Sequence, residues 1–294
     1  MDARSRAEAA AMAARMALLM EAAAEKPGNV TPTRGFDDMT FASFVISSLM
    51  VGQAIGRTAG KTVGAVIHAA VADSVKAAGA NTHLGSILLL APLARTYAKH
   101  GSLARGNVAK VLDALTVKDA QLAYRAIRSA GAGGLGRVPS QDVKKAPTVT
   151  LLEAMRLAAE RDWIAHEYAN GFSITLGVGA PELAANIAGG LPVTEAVVQT
   201  FLTLMSRYPD SLIARKNGMA MAREAALEAE RILKLGGMFS GRGRRGVYDF
   251  DQALRIDSNM LNPGTTADLT AAALFAYFIK HGYGALKAQK ERLG

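Results

Sequence analysis

The chain has 294 residues, half of them hydrophobic, a formal net charge of +9 and no cysteine. That length can bury a sizeable core in one or two domains, and the missing cysteine excludes disulfides, thiolate nucleophiles and thiolate metal sites while permitting a reducing compartment. The basic balance suits anionic partners such as nucleotides, nucleic acid or an acidic membrane surface without choosing among them.

Aromatic residues are few, whereas alanine, leucine and methionine are abundant, so helix is expected throughout. Arg4 to Glu25 reads as an alanine-rich helix, stopped by Lys26-Pro27-Gly28-Asn29. Its apolar stretch Met16 to Met20 is too short for a targeting core and is flanked by acidic residues. After a loop to Gly35, Asp37 and Asp38 open a predicted helix towards Arg57, with Phe41, Phe44, Val45 and Leu49 near helical spacing. Lys61 to Ala78 is a further helix ended by Gly79, and Asn81-Thr82 begins the next. That helix holds the most conspicuous apolar run, Ile87 to Ala94, far short of the roughly twenty residues that span a bilayer. Two shorter helices fill 106–128, with Thr116 and Asp119 spaced as a capping box. Gly131 to Gly136 is a glycine-rich loop, and the chain stays irregular to Pro147. Thr148 to Ala169 is predicted as one helix on the stripe Leu151, Leu152, Met155, Ala158, Ala159 and Trp163. Shorter helices separated by Gly-Leu-Pro follow over 173–206. Asp210 to Leu235 reads as one long amphipathic helix, Gly236 to Gly246 as a flexible basic loop, and Thr265 to about His281 as the last strong helix. With no alternating strand pattern, linker or repeat, the expectation is an all-α protein, a single multi-helix bundle domain over 1–294.

Four junctions crowd polar residues at helix starts, where free amides and the positive end of the helix dipole favour phosphate. In the first, Lys26 could hold a phosphate and Asp37 and Asp38 a Mg²⁺ ion; equally, the segment is a helix stop and a cap. In the second, Asn81-Thr82-His83-Leu84-Gly85, a neutral histidine could donate or accept a proton, or Asn81 caps and His83 packs. The third runs from Tyr208-Pro209-Asp210-Ser211 to Arg215-Lys216: a carboxylate for metal and two cations for phosphates, or a proline-started helix with a solvated face. The fourth, Asn259 to Asp268, pairs Thr265 with Asp268 as a capping box. The run Arg242-Gly243-Arg244-Arg245-Gly246 could touch phosphates or nucleic acid, but few aromatics are available for base stacking. The remaining histidines lack metal-site spacing.

Taken together, these segments resemble the triphosphoribosyl-dephospho-CoA synthase family from Lys26 to Phe278. The matching elements occur in the family's order: Lys26-Pro27-Gly28, Asp38-Met39, Asn81-Thr82-His83 with Gly85 and Ser86, and Asn262-Pro263-Gly264 with Ala267-Asp268-Leu269. The chain departs where better-known members carry a Gly-Ala-His lead-in, having Arg34-Gly35-Phe36-Asp37, and has Pro209-Asp210-Ser211-Leu212 for their Gly-Asp-Thr-Asn. It looks closer to a shorter branch with Pro-Asp-Ser and Ala-Arg-Lys elements.

The resemblance implies an enzyme that moves a triphosphoribosyl group from ATP to dephospho-CoA and releases adenine. It points to Asp38, His83, Asp210 and Asp268 as catalytic, and to Lys26, Asn81, Thr82, Ser211, Arg215 and Lys216 as nucleotide-binding. Asp37, Asp38 and Asp210 are the expected Mg²⁺ carriers, and one cleft is expected to hold Asp38, His83, Asp210 and Asp268. Two alternatives stand beside this reading. One is the same fold acting on another acceptor in pterin or one-carbon coenzyme synthesis. The other is a basic helical nucleic-acid-binding protein. The favoured reading expects small-molecule partners, no nucleic acid, no membrane and a cytoplasmic location, and it is compatible with a homo-oligomer.

Overall fold

The structure, a computed structural model, describes residues 1–131, 140–256 and 260–287, and among these there is no β-strand. The all-α expectation holds. The described residues form fifteen α-helices in order: α1 (Ala3–Ala23), α2 (Phe41–Ile55), α3 (Val63–Ala78), α4 (Leu84–His100), α5 (Arg105–Asp113), α6 (Val117–Ser129), α7 (Leu151–Arg156), α8 (Trp163–Ala169), α9 (Ala180–Ala188), α10 (Val193–Arg207), α11 (Ser211–Asn217), α12 (Met219–Lys234), α13 (Gly241–Leu254), α14 (Gly264–His281) and α15 (Gly284–Lys287). The chain divides into two compact units, Met1–Leu19 with Ala42–Ser173, and Met20–Phe41 with Ile174–Gly294. No described helix is long and apolar enough to cross a membrane.

In the first unit α3 packs on α4 and α6, and α4 on α5 and α8. Its helix ends follow local chemistry. Thr62 caps α3 through the Ala65 amide, and Gly79 closes it in the left-handed region at φ 73°. Thr116 and Asp119 form the expected capping box on α6. Buried α4 carries Pro92 in its interior, which removes the amide that would bond the Leu88 carbonyl. The buried Tyr168 hydroxyl donates to that carbonyl at 2.6 Å, so a residue of α8 satisfies the acceptor that proline orphans.

In the second unit α10 packs on α9, α12 and α14, and α11 on α12 and α14. A one-turn π-helix, Thr175–Gly179, lies against α14, where a β-carbon on Gly179 would come within 2.9 Å of Ala273.

Several helix bounds differ from the periodicity. The stretch predicted as one helix over Thr148 to Ala169 breaks between α7 and α8, where Asp162 caps α8 through the Ile164 amide at 2.8 Å. The helix predicted from Asp210 to Leu235 is interrupted by Gly218 at φ 91°, which starts α12 afresh. The basic segment Gly236 to Gly246 is not a flexible loop. Ser240 accepts from the Gly243 amide and opens α13, so the arginines stand on a helix. Asp37 and Asp38 precede α2 by several residues instead of opening it, and the second junction's helix starts at Leu84 with His83, not Asn81, at the cap position. Most of the glycine-rich loop predicted at Gly131 to Gly136, and Asn259 of the fourth junction, lie outside the described residues.

Candidate active site

The second unit brings three of the four polar junctions together. Asp210, fully buried, caps α11: one carboxylate oxygen accepts from the Leu212 and Ile213 amides at 2.8 and 2.9 Å. The other accepts from the Thr266 amide at 2.7 Å and the Thr266 hydroxyl at 2.8 Å, and so ties the start of α14 to the start of α11. Ser211 donates to the Thr265 hydroxyl at 3.0 Å, doubling the link. Gly264 permits this approach, since a β-carbon there would meet Leu212 at 2.7 Å. Thr265 and Asp268 do not form the predicted capping box. Pro263 occupies the cap position without a side-chain bond, and the Thr265 hydroxyl is engaged by Ser211 from 54 residues away. Asp268 stands half-buried one turn into α14.

Burial pushes the Asp210 carboxyl above its ordinary value, and the four donors offset that only in part. A carboxylate offers about four lone-pair positions, so every one of these is already taken by a donor. Metal binding at Asp210 would displace a bond that holds two helices. The arrangement therefore makes Asp210 a structural anchor of the site and argues against its predicted metal role.

Lys216, half-buried near the end of α11, feels burial, which lowers its pKa, and the fields of Asp210 and Asp38, which raise it. Asp38 and the neighbouring Asp37 are exposed on the loop before α2, and Arg215 is half-buried beside Lys216. The field of Asp38 thus reaches Lys216, although 178 positions separate them in the sequence.

Lys26 takes a different part from the one predicted. It is buried, its ammonium lies 3.0 Å from a Glu21 carboxylate oxygen, and it donates to the Glu21 and Ala24 carbonyls at the end of α1. An ammonium has three protons, and these three acceptors use them, so Lys26 closes a helix and has none left for a phosphate. The turn behind it is held by residues that the motifs missed. The Gly28 amide donates to Asp251 at 2.8 Å, Arg34 pairs with Asp251 at 3.2 Å, and Arg255 pairs with Asp251 while also donating to the Asn29 carbonyl. Gly28 sits at φ 73° where a β-carbon would strike Leu254 and Pro263 at 2.8 and 2.9 Å, so this turn abuts the fourth junction. The four-residue spacing of Asp251 and Arg255 on a helix was the available signal.

His83 belongs to the first unit. It is buried at the cap position of α4 with no side-chain cap bond. Its Nδ1 lies 2.8 Å from the Ser47 hydroxyl and 3.4 Å from that of Thr82, and Phe44 meets the ring edge-on at 4.9 Å. Ser47, a buried polar residue in apolar α2, thus orients the imidazole. Asn81 and Thr82 are half-buried in the preceding turn.

Among the described residues no three histidine, aspartate or glutamate side chains converge as a metal cage. An open cleft of about 600 Å³ in the second unit, lined by Glu182, Gln199, Thr203, Ser206, Arg207, Glu230 and Leu233, contains none of the predicted residues.

The described residues are all-α, and a buried polar knot of Asp210, Ser211, Thr265 and Thr266 ties the start of α11 to that of α14. Residues 7–286 match the ATP:dephospho-CoA triphosphoribosyl transferase family, and the chain belongs to that family. A Pseudomonas fluorescens relative, provisionally named a 2-(5''-triphosphoribosyl)-3'-dephosphocoenzyme-A synthase, is 28% identical over 69% of this chain and 62% of its own length. The Pectobacterium atrosepticum 2-(5''-triphosphoribosyl)-3'-dephosphocoenzyme-A synthase is 32% identical over 38% of this chain and 35% of its own. The chain therefore spans less than two thirds of these curated relatives. A crystal structure from Archaeoglobus fulgidus, provisionally assigned as a triphosphoribosyl-dephospho-CoA synthase, superposes with a TM-score of 0.63 at 25% identity, covering 80% of this chain and 98% of that one.

Proposed function

We propose that this chain transfers the triphosphoribosyl group of ATP to a ribose hydroxyl of dephospho-CoA with release of adenine. The observation that carries the reading is the convergence of three of the polar junctions in the second unit, through Asp210–Thr266, Ser211–Thr265, and the Gly28 turn against Pro263. In the reaction the bond from the anomeric carbon to adenine N9 breaks and a bond from that carbon to the acceptor oxygen forms. The hydroxyl proton is taken by a carboxylate and ends on the departing adenine, so charge and atoms balance. Asp38 and Asp268 supply negative charge against oxocarbenium character at the anomeric carbon, and one of them accepts the hydroxyl proton. Arg215 and Lys216 hold the triphosphate, while Asp210 and Ser211 fix the helix that presents them.

The exposed pair Asp37 and Asp38 fits Mg²⁺, which needs only one or two carboxylates when phosphates complete its shell; bound there it would neutralise triphosphate charge. Asn81, Thr82 and His83 form a separate proposal: they contact ribose or adenine, and the imidazole, held through Nδ1 by Ser47, exchanges a proton. The test is direct. Protein, ATP and Mg²⁺ are incubated with dephospho-CoA, and free adenine is measured by chromatography. Adenine equal to the acceptor consumed is expected. Adenine absent with dephospho-CoA but present with a pterin-precursor acceptor would move the chain to another acceptor, and none with either would end the transferase reading.

A further inference from the structure

Resting on that reading, the reaction involves two adenine nucleotides, and Arg215 and Lys216 serve only the one that is split. The other must keep its base bound while its ribose hydroxyl attacks. That hydroxyl sits on the ribose bonded directly to the acceptor's adenine. A subsite for this base must therefore border the loop that carries Asp38.

The second unit carries a surface of that kind outside the site above. Tyr248 of α13 is 51% exposed. The guanidinium carbon of Arg34 lies 5.8 Å from its ring centroid, and that of Arg245 lies 5.2 Å away. The two arginines differ in how they are held. Arg34 is anchored by Asp251, whose carboxylate is largely buried and is also engaged by Gly28 and Arg255. Arg245 is 73% exposed and pairs at the surface with Asp249 at 3.0 Å, an interaction of the kind that contributes little and is readily exchanged. Arg34 stands four residues before Asp38 on the same loop. A half-exposed ring flanked by one fixed and one exchangeable guanidinium matches a nucleobase joined to a diphosphate: once the exchangeable arginine moves to the phosphates, the ring stacks on the base, and the arginines pair with the phosphates.

We infer that Tyr248, Arg34 and Arg245 form the subsite for the adenosine diphosphate end of the acceptor, with Arg245 leaving Asp249 for the diphosphate. The whole chain is titrated calorimetrically with dephospho-CoA, with 4'-phosphopantetheine, which lacks the adenosine, and with ATP. Tyr248→Ala is expected to weaken dephospho-CoA roughly tenfold, the scale of one base–aromatic stack, while leaving phosphopantetheine and ATP unchanged. Tyr248→Phe retains binding, and Arg245→Ala lowers the affinity and flattens its salt dependence. Unchanged dephospho-CoA affinity in folded Tyr248→Ala protein overturns the subsite, as does an equal loss for all three ligands. Adenine release, read in parallel, separates the two proposals. Tyr248-dependent binding without release keeps the subsite and sinks the transferase reading, and normal release with Tyr248-independent binding does the reverse. A wild-type chain that neither binds dephospho-CoA nor releases adenine overturns both.

Discussion

Asp119 in the first unit and Asp210 in the second are both buried aspartates at a helix start, and both accept several hydrogen bonds. Asp119 takes the Gly64 amide at 2.7 Å and the Thr116 amide and hydroxyl at 2.9 and 2.7 Å. Burial alone would push its carboxyl up, but the donors of Thr116, Thr62 and Gly64 outweigh that and leave it below its ordinary value. Asp210 has as many donors, yet deeper burial wins and its carboxyl lies above the ordinary value. Hydrogen bonding and desolvation are comparable opposing terms, so a modest difference in depth reverses the outcome. Both residues use their acceptor positions inside the fold.

The largest expected effect tests that last point. Asp210→Ala strands three amides and a hydroxyl, and should cost about 4 kcal/mol, against about 2 kcal/mol for Asp119→Ala, by urea denaturation. A folded Asp210→Ala protein of wild-type stability that loses ATP binding would return Asp210 to the chemistry. The next effect carries the contrast over to two lysines. Lys26→Met leaves Glu21 charged and buried, and should destabilise by about 3 kcal/mol without changing ATP affinity in the folded fraction. Lys216→Met should change stability by less than about 1 kcal/mol and weaken ATP severalfold, in calorimetry. The reverse pattern would exchange their roles.

The smallest effect is a pH slope. The folded pKa of Asp119 lies below 3.8, so its stabilisation is present above that value and is lost as pH falls through the folded pKa. That of Asp210 lies above 3.8, so its contribution declines as pH rises from there through the folded pKa. Urea midpoints between pH 3 and 7 should show the gap between wild type and Asp119→Asn closing in acid, and the gap to Asp210→Asn closing towards neutral pH. Parallel slopes would mean that one carboxyl has been assigned the wrong direction.

Much of the candidate site was readable as residues but not as roles. Lys26 and Asp210 carry the motif signal, yet the acceptors around Lys26 and the donors from Thr266 fill their bonding capacity, and neither set follows from spacing. The Arg242 to Arg245 run supported a nucleic-acid surface when taken as a loop. On α13, Arg244 instead forms a two-point pair with Glu195 at 2.6 Å, and Arg245 pairs with Asp249.

The sequence by itself determined the helical class, the stop at Lys26-Pro27-Gly28, the end of α3 at Gly79 and the capping box of Thr116 with Asp119, because each depends on groups within a few residues of one another. Only the tertiary structure decided that Thr265 answers Ser211 instead of Asp268, that Asp251 and Arg255 hold the Gly28 turn, and that Ser47 orients His83. Those partners lie 36 to 226 positions apart, and a buried donor or acceptor bonds whichever group the packing delivers, not the one that its spacing in the chain suggests.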